Sequence, residues 1–242
     1  MGQQIAFIIG LAAVHVYASK LRKLSAVPRS AWLSLAGGIS VAYVFIHVFP
    51  ALSKAHETIN AHGLLAVLEH NAYIVALIGL AVFYGLEQVA SHHSEPFRKG
   101  AKTHFRKLEG VFWIHVGSFS LYNALIGYLL VYRDNQFPDV VFFFLAMSAH
   151  FLVNDHGLVR HHRDRYLARG RWVLASAVII GWLVGMAVEV TEAFVGLLYA
   201  FVAGGVVLNV LKEELPEDRR SQFWPFALGV ASCTLLLIFA EP

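Results

Sequence analysis

The segment "LAMSAHFLVNDHG", Leu145 to Gly157, sets His150, Asn154 and Asp155 inside an apolar run. Imidazole, amide and carboxylate in hydrocarbon are costly, so such residues in a membrane span normally have a task there. His150 and Asn154 are four positions apart and share one face of a helix, with Asp155 about 100° further round. This spacing lets a ring nitrogen, an amide oxygen and a carboxylate approach one small volume. A divalent cation of intermediate hardness accepts that mixed donor set. A competing reading makes Asp155 a solvated helix end or a partner of Arg160.

Other intramembrane candidates are fewer. His47 lies three residues before Pro50, where the proline is expected to kink or stop its helix. In "FWIHVGSFSLYNALIGYLL", His115 and Ser118 share a face, although a serine there can equally bond its own backbone. His115 and His150 are also a conceivable pair for bis-histidine haem. The single cysteine, Cys233, excludes an intrachain disulfide and any cysteine cage. Metal chemistry therefore falls to His, Asn, Asp and Glu.

The elements that position these residues follow from composition. The 242-residue chain is 57% hydrophobic and 14% charged, with a mean hydropathy of +0.59, whereas soluble domains carry about 25% charged residues. Eight apolar runs have roughly the length needed to cross a bilayer. They are Ile5 to Ala18, Ala31 to Leu52, Ala72 to Ala90, Val111 to Val131, Val140 to Leu158, Trp172 to Val190, Ala193 to Leu211 and Phe223 to Ala240. Continuous runs of this kind are helices, since a barrel would alternate. The expected fold is all-α, one polytopic membrane bundle of eight transmembrane helices over residues 1–242. The first run lacks the basic flank of a secretory signal and is expected to be retained.

Of the 19 Lys and Arg, all but Lys54 and Arg133 fall in the loops after the first, third, fifth and seventh runs. The positive-inside rule then puts those loops in the cytoplasm and both termini outside it. The basic balance is a product of topology, and no nucleic acid partner is expected. Residues 91–110 form a cytoplasmic loop bearing His92, His93 and His104. Gly181, Gly185 and the "AGG" at Ala203 to Gly205 are expected to let neighbouring helices approach closely.

This organisation resembles the ZIP family of zinc and iron transporters. "IHVFPA", Ile46 to Ala51, resembles the end of that family's second span; "IGLAVFYGLEQ", with Glu87, resembles its third; Ala200 to Glu217 resembles its seventh. The fifth-span motif HExPHE overlays "HFLVND": His150 stands at the first His, Phe151 at the first Glu, Val153 at Pro, Asn154 at the second His and Asp155 at the last Glu. The fourth-span motif HNxxDG places Ser118 at His, Phe119 at Asn, Tyr122 at the acid and Asn123 at Gly. With these replacements, the resemblance implies a mononuclear site of His150, Asn154, Asp155 and a fourth-span partner, Ser118 or His115, with His47 nearby. The implied function is movement of a divalent metal cation, zinc first, toward the cytoplasm; no enzyme activity and no organic cofactor are expected. The setting is the cell (inner or plasma) membrane, the lipid bilayer is the surrounding partner, and a homodimer is among the expected assemblies. Two alternatives stay open: a ZIP-like membrane protein that no longer transports, and a histidine-box di-iron membrane enzyme.

Overall fold

A computed structural model describes residues 2–21, 29–62, 70–92, 101–132, 137–214 and 222–240, and these are helical apart from short turns and links. The elements are α1 (Gly2–Leu21), α2 (Arg29–Tyr43), α3 (Phe49–Ala61), α4 (Asn71–His92), α5 (Ala101–Val131), α6 (Phe137–Arg165), α7 (Arg171–Ala187), α8 (Glu192–Asn209) and α9 (Phe223–Ala240). Among the described residues, four helical stretches are long and apolar enough to cross a membrane: Ser34–Ala61, Phe112–Val131, His162–Ala187 and Glu192–Lys212. Shorter apolar helices occupy Gly2–Ala18, Asn71–Leu86 and Phe223–Leu236. The segment bearing His150 lies within α6.

Pro50 does not stop its helix. A single π-helical turn, Val44–Val48, joins α2 to α3, with Pro50 in the first turn of α3, and the helix runs on to Ala61. Proline lacks an N–H, and the wider turn absorbs the missing hydrogen bond without breaking the rod. Two more π turns, Tyr166–Gly170 and Val210–Glu214, follow α6 and α8. Residues 91–92 and 101–110, expected as loop, are helical, and 93–100 lie outside the described residues.

Helices α1, α5, α6 and α7 pack largely with one another, and α2, α3, α4, α8 and α9 form a second group. Within these groups, three pairs are drawn together by reciprocal glycines. A Cβ on Gly127 of α5 would collide with the carbonyl of Val178 on α7, and one on Gly181 of α7 with that of Ala124 on α5. Gly38 and Gly229 make the same exchange between α2 and α9, as do Gly79 and Gly204 between α4 and α8. In lipid, where apolar burial gives helices no preference for one another, backbone contact of this kind supplies the association. Gly181 and the glycines at 204–205 are thus packing devices. The two groups meet along α5–α8, α4–α5 and α2–α6, and the contact between His150 of α6 and Asn209 of α8 crosses between them.

Candidate functional site

Two polar clusters are set side by side on the inner face of α6. In the first, His150 is buried, with Nε2 3.2 Å from the Asn154 amide and Nδ1 3.1 Å from the amide of Asn209 on α8. Both amides approach through nitrogen, Asn154 Nδ2 and Asn209 Nδ2; a neutral imidazole accepts at one nitrogen only, so Asn154 donates to Nε2 and the ring donates from Nδ1 to Asn209 with its amide turned to offer oxygen. The Tyr122 ring of α5 lies 5.3 Å from the His150 ring. The Tyr122 hydroxyl and the Asn154 Oδ1 are both buried without a hydrogen-bond partner. Each such orphan costs about 1–3 kcal/mol in a folded interior.

In the second cluster, Asp155 is 0% exposed and turns away from His150 toward His15 of α1. His15 Nδ1 reaches both carboxylate oxygens, at 3.0 and 2.9 Å, and its Nε2 lies 2.9 Å from the Asn123 amide of α5. The chain of donors is self-consistent: Asn123 donates to Nε2, and the proton on Nδ1 goes to the carboxylate. Tyr166, in the π turn after α6, donates to the backbone carbonyl of His15 at 3.3 Å. Phe151 stacks on the His15 ring with centroids 4.4 Å apart and stands between the clusters. Phe151 thus serves as a floor for His15.

The remaining expected residues go elsewhere. Ser118 donates to the Ile114 carbonyl of its own helix at 2.6 Å, so it takes no part in either cluster. His115 faces His162, with Nδ1 and Nε2 3.2 Å apart, and does not face His150. His47, in the first π turn, stacks on Tyr43 at 5.1 Å. The side chains of Glu87, His92, His93, His104 and Arg160 lie outside the described residues. Among the described residues, no group of three or more His, Cys, Asp or Glu side chains is placed to hold one metal ion. His150 and Asn154 are brought together; Asp155 is joined to His15, a residue whose own neighbours in sequence are apolar.

A cavity of about 910 Å³ leads toward the first cluster. Lys54, Thr58, Glu189 and Glu192 supply its charged and polar lining, and its walls are otherwise mostly apolar. Met147, Val206 and Ile126 are its lining residues furthest along α6, α8 and α5 toward the cluster. Each of these is one helical turn short of a polar residue: His150 on α6, Asn209 on α8 and Tyr122 on α5. Along α8 alone, the lining runs from Glu192 to Val206, about 21 Å at 1.5 Å per residue. Tyr128 and Tyr132 both donate to the Val188 carbonyl, at 3.3 and 2.8 Å, and brace the link between α7 and α8 beside this cavity.

These features define an all-helical fold, among the described residues, with four helical stretches long and apolar enough to cross a membrane and a buried His–Asn–Asn–Tyr cluster near a cavity. The chain has no match among family models, characterised proteins or solved structures.

Proposed function

We propose that the chain is a multi-pass transporter that carries a divalent metal cation toward the cytoplasm, with the cation held transiently at His150, Asn154, Asn209 and Tyr122. The observation that carries this reading is the pair of buried, unpartnered oxygens on Asn154 and Tyr122 beside the His150 imidazole, one turn beyond the cavity lining. Two unpartnered oxygens beside an imidazole that can exchange an amide for an ion suit a cation of zinc, iron(II) or manganese type. Neutral donors bind it weakly enough to let it go.

On this reading the eight apolar runs are eight spans with both termini outside, as the distribution of Lys and Arg supports. The end of the cavity lined by Glu189 and Glu192 then faces outside, where these carboxylates raise the local concentration of cations. Transport follows from a shift of the α1–α5–α6–α7 group against the other, which alternates access to the cluster at their seam. Asp155 would compensate the passing charge at one remove, through its bond to His15. The arrangement is that of a ZIP-like carrier whose usual ligands have been replaced.

Flux of zinc, iron(II), manganese and cadmium into proteoliposomes tests the proposal. Saturable uptake of at least one ion, lost in Asn154→Ala and in Asp155→Ala, supports it. Absence of uptake in folded protein refutes it and favours a non-transporting membrane protein. That second reading has its own observation: both His150 nitrogens are already engaged by amides.

A further inference from the structure

We propose that His115 and His162 form a second divalent-cation site, separate from the His150 cluster and on the side of it away from the cavity. The two facing nitrogens, His115 Nδ1 and His162 Nε2, are 3.2 Å apart. Two imidazole ligands of one tetrahedral zinc, each about 2.0–2.1 Å from the ion, stand about 3.3–3.4 Å from each other. The rings already stand close to the separation of a chelating pair, at a distance that in the empty pair makes an ordinary ring-to-ring hydrogen bond.

Position brings the pair together. Near the end of α6 the backbone leaves helical geometry at His162, with φ −138° and ψ 37°. The kink accompanies a ring that faces α5, where His115 lies four residues before Phe119. His162 is 9% exposed and is covered by the Phe112 ring at 5.5 Å, part of an apolar cluster with Val116, Leu158 and Tyr166. His115 remains half-buried, which lets water complete the coordination shell. The ion takes one lone pair from each facing nitrogen, so the proton that lies between them in the empty pair leaves that position.

His162 lies eight residues beyond Asn154 on α6, about 12 Å along the helix. An ion leaving the His150 cluster away from the cavity would meet this pair next. That role as a release station rests on the transport reading; the binding itself does not.

Zinc calorimetry on the purified full-length protein tests the site, using His115→Gln, His162→Gln, the double variant and His162→Cys. Glutamine keeps a hydrogen-bonding amide against the remaining ring, and cysteine supplies another zinc ligand. The expectation is one zinc equivalent weakened at least about tenfold in each glutamine variant, no further in the double variant, and restored by His162→Cys. Single variants that bind as the parent does, or losses that add in the double variant, would overturn the proposal. Zinc flux in the same preparations separates the two readings. Absent flux with the expected binding pattern removes the transporter and leaves the site, whereas flux with unchanged binding removes the site alone.

Discussion

His15 of α1 and Asp155 of α6, 140 positions apart in the chain, meet with the imidazole Nδ1 2.9 Å from one carboxylate oxygen, both residues sealed from solvent. This bond ties the first helix to the helix that carries the candidate site. It also explains why a carboxylate is tolerated there: each oxygen has the same N–H in reach, and Asn123 supports the ring from behind.

Removing one member of such a buried pair strands the other. Asp155→Ala and His15→Ala should each destabilise the protein by about 3 kcal/mol or more. The double variant should lose clearly less than the two single losses together. Reversible unfolding in mixed detergent micelles measures all three. Additive losses would show that the two side chains do not act on each other.

Helix pairing through glycine makes a sharp contrast within the same bundle. Gly181→Ala drives a methyl group into the Ala124 carbonyl, whereas a Cβ on Gly117 meets nothing within 4 Å. Gly181→Ala should lower the melting temperature in detergent. Gly117→Ala should leave it level or raise it, since alanine in a helix interior is favoured over glycine by about 0.5–1 kcal/mol. Equal melting temperatures for the two would contradict the close approach of α5 and α7.

Asn154→His sets a second imidazole four residues from His150 on a face already turned inward. Zinc affinity at this cluster should rise at least about tenfold, by analogy with the sensitivity of metal sites to their ligand sphere. Adding Phe151→Glu should not help. Phe151 is 0% exposed and stacked on His15, so the new carboxylate would be buried without a partner. Calorimetry of the single and double variants decides, and tighter binding in the double than in the single would argue against the stacking role.

The cavity can be mapped with thiols, because Cys233 is the sole cysteine and lies outside its lining. On a Cys233→Ser background, cysteines placed at Met186, Val195 and Tyr199 should react with a membrane-impermeant maleimide added from outside intact cells. Cysteine at Ile180, exposed on α7 and facing lipid in the proposed topology, should not react. Labelling of the first three only in inverted vesicles would reverse the proposed orientation.

The polar face of α6 was legible because three hydrogen-bonding side chains within six residues of an apolar run are conspicuous at any helical period. The glycine contacts were legible in part: Gly181 and the pair at 204–205 stood out by spacing, while their partners Gly127 and Gly79 did not. His15 and Asn209 escaped notice for a common reason. Each is a single polar residue in a long apolar stretch, and a lone histidine or asparagine carries no periodic signal. Its meaning depends on what faces it, across 140 and 59 positions respectively.

Composition and run length therefore determine an all-helical chain with stretches apolar enough to cross a membrane and mark the segment where polar chemistry sits, since a polar side chain in an apolar run is conspicuous wherever it falls. Only the tertiary structure divides that segment between two clusters, sending His150 and Asn154 to α8 and Asp155 to α1. It also takes Ser118 and His115 out of the site and opens the cavity above it. The physical reason is geometric. One helix presents donors around an arc of about 100° per residue, and which neighbouring helix receives each donor is decided by packing between distant parts of the chain.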